Sequence, residues 1–138
     1  MSDMLTVTAA GFTFGAKFES AAAPNTVAAF RKIMPWQSKI VQVRWSGEGV
    51  WIPLGKRDFG VGYENHTSHP APGHILLYPG GISETEILFA YGGVSFSSRM
   101  GPLAGNHFIT LTSGLQNLMT MGNKVLWEGA QDIYFDFA

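Results

Sequence analysis

The chain has 138 residues, of which 46% are hydrophobic and 14% charged, with a net charge of −1 and no cysteine. Disulfides and thiolate metal sites are excluded, and the lack of any basic run argues against nucleic-acid or anionic-membrane partners. The length fits one domain, residues 1–138, with a core that needs no staples, while a charge share below the usual ~25% leaves apolar surface for self-association to cover.

Leu5, Val7 and Ala9 alternate with Thr6 and Thr8, which predicts a strand. After an Ala10-Gly11 turn, Phe12, Phe14, Ala16 and Phe18 alternate with polar or small residues, predicting a hairpin whose Phe rings enter the core. Asp3 precedes this pattern where a signal peptide would be basic and then apolar. No apolar stretch approaches ~18 residues, so no transmembrane helix is expected. The expectation is a soluble, cytoplasmic protein.

Ala21 to Met34 predicts the main helix, with Pro24 in its first turn, Val27, Phe30, Ile33 and Met34 on one face, and Pro35 stopping it. It should cover one open end of a barrel. Ile40 to Trp45 predicts a strand, with Arg44 and Gln42 opposite Val41, Val43 and Trp45. Ser46-Gly47-Glu48-Gly49 then turns into a partner strand from Val50 to Leu54. Gly55 to Gly73 holds too many Gly, Pro, Asn and Ser for a regular element. A loop that long is usually functional or tied down.

Gly73 to Gly92 is the organising stretch. His74 to Tyr78 is apolar on both faces, so it reads as a central strand. Pro79-Gly80-Gly81 breaks it, and Glu84 and Glu86 then share one face of a second strand that continues to Tyr91. Val94 to Ser98 and His107 to Thr112 predict further strands, and Ser113 caps a short helix with Leu115, Leu118 and Met119 inward. Ile133, Phe135 and Phe137 mark the last strand. About eight short strands with one main helix and one or two short ones predict a mainly β fold, a closed antiparallel barrel.

Three segments resemble cyclophilins: Ala23 to Phe30 is similar to the start of the first cyclophilin helix, Met100-Gly101-Pro102 with Gly105 to Thr110 is similar to a later strand, and Arg44 lies where a barrel strand carries the catalytic arginine. Val43–Gly55, Glu64–Gly92 and Ala104–Thr112 are similar to a family of small bacterial proteins of unknown function with cyclophilin-like barrels. The resemblance implies a cyclophilin-like fold and no established activity. Gly49 and Ile52 stand where cyclophilins carry the Phe and Gln that hold a substrate proline. More distant cyclophilin-like barrels occur in enzymes acting on allophanate or cyclic amides.

Scarce charges make the clustered ones informative. Arg44, Glu48 and Glu84 are the candidate catalytic residues, the guanidinium holding an oxyanion and a glutamate moving a proton. Tyr78, Ser83, Glu86, His107 and Asn65 are the candidate ligand-binding residues around a barrel mouth. Arg44 should pair with Glu48, Glu84 or Glu86, because a buried guanidinium cannot shed its proton. Glu64, His66 and His69 are too sparse for a metal site, and nothing calls for a cofactor. The residues point to a small polar metabolite, a carboxylate or amide, as ligand. Whether it is turned over stays open. The alternatives are a peptidyl-prolyl isomerase and a non-catalytic subunit. A homo-oligomer built from two-fold dimers is expected.

Overall fold

A computed structural model describes residues 2–138. Strands β1 (Met4–Ala9) and β2 (Phe12–Phe18) form the expected hairpin. Its turn residues Ala10 and Gly11 both have positive φ, 52° and 88°, the tight-turn geometry whose twist matches the flanking strands. Then follow α1 (Pro24–Arg31), β3 (Trp36–Gln42), β4 (Gly47–Pro53), β5 (His66–Thr67), β6 (His74–Tyr78) and β7 (Glu86–Val94). A small hairpin of β8 (Ser97–Ser98) and β9 (Gly101–Pro102) precedes β10 (Gly105–Ser113), a short 3-10 turn (Leu115–Asn117), α2 (Leu118–Glu128) and β11 (Gln131–Phe137).

The strands pair in the order β2-β1-β11-β3-β4-β7-β6-β10, and β10 pairs back onto β2, closing an antiparallel barrel of eight strands. One parity of each strand fills the interior: Val7, Phe14, Ile40, Val50, Ile52, Ile75, Leu77, Ile87, Phe89, Ile109 and Ile133 are all at most 1% exposed. Phe30 of α1 packs edge-on against Phe135, Phe108 and Trp36, with centroids 5.0, 5.1 and 5.7 Å away. Trp36 opens β3, so α1 sits at that end of the barrel. Tyr91 bonds Gln42 at the far end of β3, and α2 packs there with Leu118, Met121 and Val125 buried. Both ends are covered, so the barrel has no open mouth.

Two helix expectations need correction. The first helix runs only Pro24–Arg31, though Val27, Phe30 and Met34 are buried as expected. The longer helix is α2, expected to be short. Leu118 is inward, but Leu115 and Met119 are exposed. Gly122, inside α2, is a packing glycine: a Cβ there would run into the Tyr91 ring. The strand carrying Arg44 also ends early. β3 stops at Gln42, and Val43 to Ser46 form a turn closed by the Ser46 and Gly47 amides on the Val43 carbonyl.

Because β6 is apolar on both faces, a second, smaller core lies outside the barrel. Val43, Leu76, Tyr78, Leu88, Phe96 and Leu103 form it, with residues 95–104 folded over the outer wall as a flap.

Candidate functional site

Val50 and Ile52 point into the barrel, so Trp51 between them points out. By the same parity Glu86, the first residue of β7 and next to inward Ile87, lies on the outer wall, opposite Pro53 of β4 and Tyr78 of β6. Trp45 reaches from the β3–β4 turn to stand edge-on to Trp51, centroids 5.8 Å apart at 81°. Ser98 and Arg99 of the flap close the other side. These residues, with Ser83 and Glu84, line a groove of about 470 Å³.

Two features set the groove's chemistry. The Trp51 Nε1–H is buried without a hydrogen-bond partner, the one such side-chain atom among the described residues. Leaving such a donor unpaired costs roughly 1–3 kcal/mol. Glu86 is only 4% exposed. Burial first, and the neighbouring Glu84 charge second, push its carboxyl up to about 8. At neutral pH it is therefore mostly protonated and can donate. With Arg99 at the rim, the groove offers three donors, while exposed Glu84 supplies the acceptor. The lip is held by Tyr78, whose buried hydroxyl accepts from the Ile82 and Ser83 amides at 3.0 and 3.2 Å. Lys56 and Arg57 line an adjoining cavity of about 510 Å³ that shares Ser83 and Glu84 with the groove.

The structure sorts the candidate residues into three places. Ser83, Glu84 and Glu86 line the groove, and Tyr78 shapes it. Arg44 and Glu48 lie at the opposite end of β4, beside a separate cavity of about 300 Å³ lined also by Gln42, Gly47, Tyr91, Asn123 and Leu126. The expected carboxylate partner for Arg44 is not there: the side chain is exposed and, among the described residues, in no ion pair within 4.0 Å. Its turn sits near Val94, whereas Glu86 faces Pro53. Glu48 instead accepts from the Gly93 amide at 3.0 Å.

His107 and Asn65 form the third group. Asn65 Nδ2 donates to the His107 carbonyl at 2.8 Å. The His107 ring stacks on His74, centroids 4.0 Å apart at 13°, and its Nε2 lies 2.7 Å from Thr110 Oγ1, which donates to Glu19. Among the described residues no cluster of His, Asp and Glu fits a metal ion.

Trp45, Trp51, Ser98 and Arg99 were not among the candidates. For Trp51 a signal was available, its outward parity between Val50 and Ile52. For Ser98 and Arg99 none was, because they reach the groove only through the fold of the flap.

The architecture is that of a small closed β-barrel protein with a helix over each end and its groove on the outer wall. The sequence matches DUF3830, described as a protein of unknown function, over residues 5–137, and the chain belongs to that family. No curated protein sequence matches it. Among solved structures it is similar to McbB in complex with tryptophan, with a TM-score of 0.70 and 12% identity over 96% of this chain. This chain spans 44% of McbB's length. It is also similar to the hypothetical protein AF2241 from Archaeoglobus fulgidus, solved in solution, with a TM-score of 0.60, 14% identity, and coverage of 99% of this chain and 95% of that one. At these identities the likeness is one of fold. Among the described residues no helix is long and apolar enough to cross a membrane.

Proposed function

We propose that this chain is a cyclophilin-like single-domain protein that binds a small polar ligand in the outer-wall groove. The ligand is a carboxylate or an amide carried on a flat ring. The observation that carries this reading is the unpartnered Trp51 indole N–H in the same groove as Glu86. A site whose buried groups are donors selects acceptors, and a ligand carbonyl or carboxylate would relieve the orphaned N–H. Arg99 adds a charge for a carboxylate, and Trp45 with Trp51 gives a ring an aromatic wall. McbB, solved with tryptophan, supports the choice of a ring bearing a carboxylate as first probe. The chemistry such a groove favours is proton transfer at an amide or cyclic amide. Glu86 gives a proton to the carbonyl oxygen and Glu84 takes one.

Peptidyl-prolyl isomerisation finds no support in the geometry. Gly49 carries no side chain, and Ile52 points into the barrel core.

Thermal-shift and calorimetric titrations with tryptophan, indole-3-acetate, simple amides and hydantoin test the reading. At least one probe should stabilise the protein, and Arg99→Ala and Trp51→Phe should each abolish that stabilisation while the unliganded protein stays folded. Silence from every probe at millimolar concentration, or binding undiminished in both variants, overturns it.

A further inference from the structure

Arg44 in the β3–β4 turn and Glu48 at the start of β4 are both exposed, and both line the cavity of about 300 Å³ beside α2. Their charges are opposite, yet they do not pair. Among the described residues neither takes part in an ion pair within 4.0 Å. In a chain with so few charges, two opposite ones held apart at one cavity are informative.

The separation is built into β7. The Gly93 amide donates to Glu48 Oε1 at 3.0 Å, and Gly92 leaves the space, because a Cβ there would run into the Glu48 carboxylate and its Cβ. Gly92 has no positive φ that calls for glycine, so the missing side chain serves the close approach of Glu48. The floor of the cavity is fixed in the same way. Gly122 makes room for the Tyr91 ring, whose hydroxyl donates to Gln42 Oε1 at 2.9 Å, and Gln42 Nε2 donates to the Gly47 carbonyl at 3.0 Å. Burial pushes the Tyr91 phenol up most; Glu48 also raises it and Arg44 lowers it, so both charges reach that hydroxyl. Asn123 and Leu126 of α2 close the remaining side.

We propose that this cavity is a second ligand site, for the zwitterion of a small free amino acid, with Arg44 taking the carboxylate and Glu48 the ammonium group. Charge selects the class. The lining holds one cation and one anion and is otherwise neutral. An anion is drawn to Arg44 and repelled by Glu48, and a cation meets the reverse. A neutral ligand leaves both charges unmatched, whereas a zwitterion matches both at once. The guanidinium fork suits a carboxylate, and the Glu48 oxygen not used by Gly93 accepts from an ammonium. Size narrows the class. About 300 Å³ is the lower end for small-molecule sites, and Leu126 is the one aliphatic wall, so a short side chain fits better than an aromatic one. The site lies at the opposite end of β4 from the outer-wall groove and does not rest on the reading of that groove.

Calorimetric titration of the full chain at neutral pH tests it, with L-alanine, L-serine and L-valine beside propionate and ethylamine, which each carry one of the two charges. At least one amino acid should bind below millimolar concentration, and propionate and ethylamine about tenfold more weakly or not at all. Arg44→Gln and Glu48→Gln should each weaken amino-acid binding about tenfold, the effect of one charged hydrogen-bonded contact. Both side chains are exposed, and glutamine at position 48 keeps an acceptor for the Gly93 amide, so both variants should melt as the wild type does. No heat from any amino acid at millimolar concentration overturns the proposal. Propionate or ethylamine binding as tightly as the amino acids overturns the zwitterion as the class. Amino-acid binding untouched in both variants overturns the cavity as its place.

Discussion

At the α1 end of the barrel, Thr26, Glu64 and Asn106 bury their polar groups and satisfy one another. Asn106, fully buried, accepts from the Glu64 amide at 3.1 Å and donates to Thr26 Oγ1 at 3.1 Å and the Gly62 carbonyl at 2.8 Å. Glu64 accepts from both the Thr26 amide and hydroxyl, 2.6 and 2.7 Å, and so caps a helix whose own Ala23 cannot. On the outer wall, the buried Trp51 indole N–H has no such partner, and the carboxyl of buried Glu86 shares its groove. The first cluster ties the long loop to helix and sheet. In the second, the chain itself leaves the cost of an unpaired indole N–H unrelieved.

If Asn106 is architecture, its loss should be the most damaging of the polar changes. Asn106→Ala strands the Glu64 amide and the Gly62 carbonyl and leaves the Thr26 hydroxyl with only its bond to Glu64, and should cost about 3 kcal/mol in urea or thermal unfolding. Proteolysis should quicken in residues 55–65 before anywhere else. A loss under about 1 kcal/mol would erase the contrast between the two clusters.

Glu86→Gln should act in the opposite direction. The Glu86 carboxyl is raised from its ordinary 4.5 to about 8. Between those values the folded state holds a proton that the unfolded chain has released, so wild-type stability falls as pH rises through this window and levels off above it. The glutamine variant has no proton to lose. The interval from 4.5 to about 8 sets a ceiling of about 5 kcal/mol. Water entry and relaxation bring the expected gain to roughly 1–3 kcal/mol at pH 9, with little gain at pH 4. A variant no more stable than wild type at pH 9 would show that the Glu86 carboxylate finds a partner after all.

Much of this architecture is legible without coordinates. The alternation in β1, β2 and β11 and the two apolar faces of β6 predict the barrel and its central strand. Glu84 and Glu86 stand out because charges are scarce. What is not legible depends on contacts between distant segments. That Gly122 packs against the Tyr91 ring is one such contact. Trp45, Ser98 and Arg99 meet Glu86 only once the turn and flap fold onto the outer wall. The pairing of Arg44 with a glutamate fails for a related reason: strand parity places a residue on a face and says nothing of where along β4 its partner lies.

The smallest effect concerns a cluster between the two extremes. His74 and His107 stack on the wall formed by β6 and β10, partly bonded and half-buried. Burial lowers both imidazoles below 6.5, and for His107 the charge of His74 lowers it further. Glu19 opposes the shift at both rings, and Lys17 adds to it at His107. Below pH 6.5 the unfolded chain takes up protons that the folded pair resists, so stability falls on acidification, by at most about 1.4 kcal/mol per pH unit for each ring. His74 also accepts from the Ala71 amide through Nδ1 at 3.3 Å, a bond that protonation removes. Glu86 has the opposite slope across the same range, so in the wild type it masks part of the pair's contribution. The Glu86→Gln protein is therefore the background in which to read the pair. Adding His74→Asn, which keeps an acceptor for the Ala71 amide and removes the charge, should flatten the acid limb between pH 6.5 and 5 by about half. An unchanged slope in urea unfolding across that range would mean that the two stacked rings do not titrate against each other.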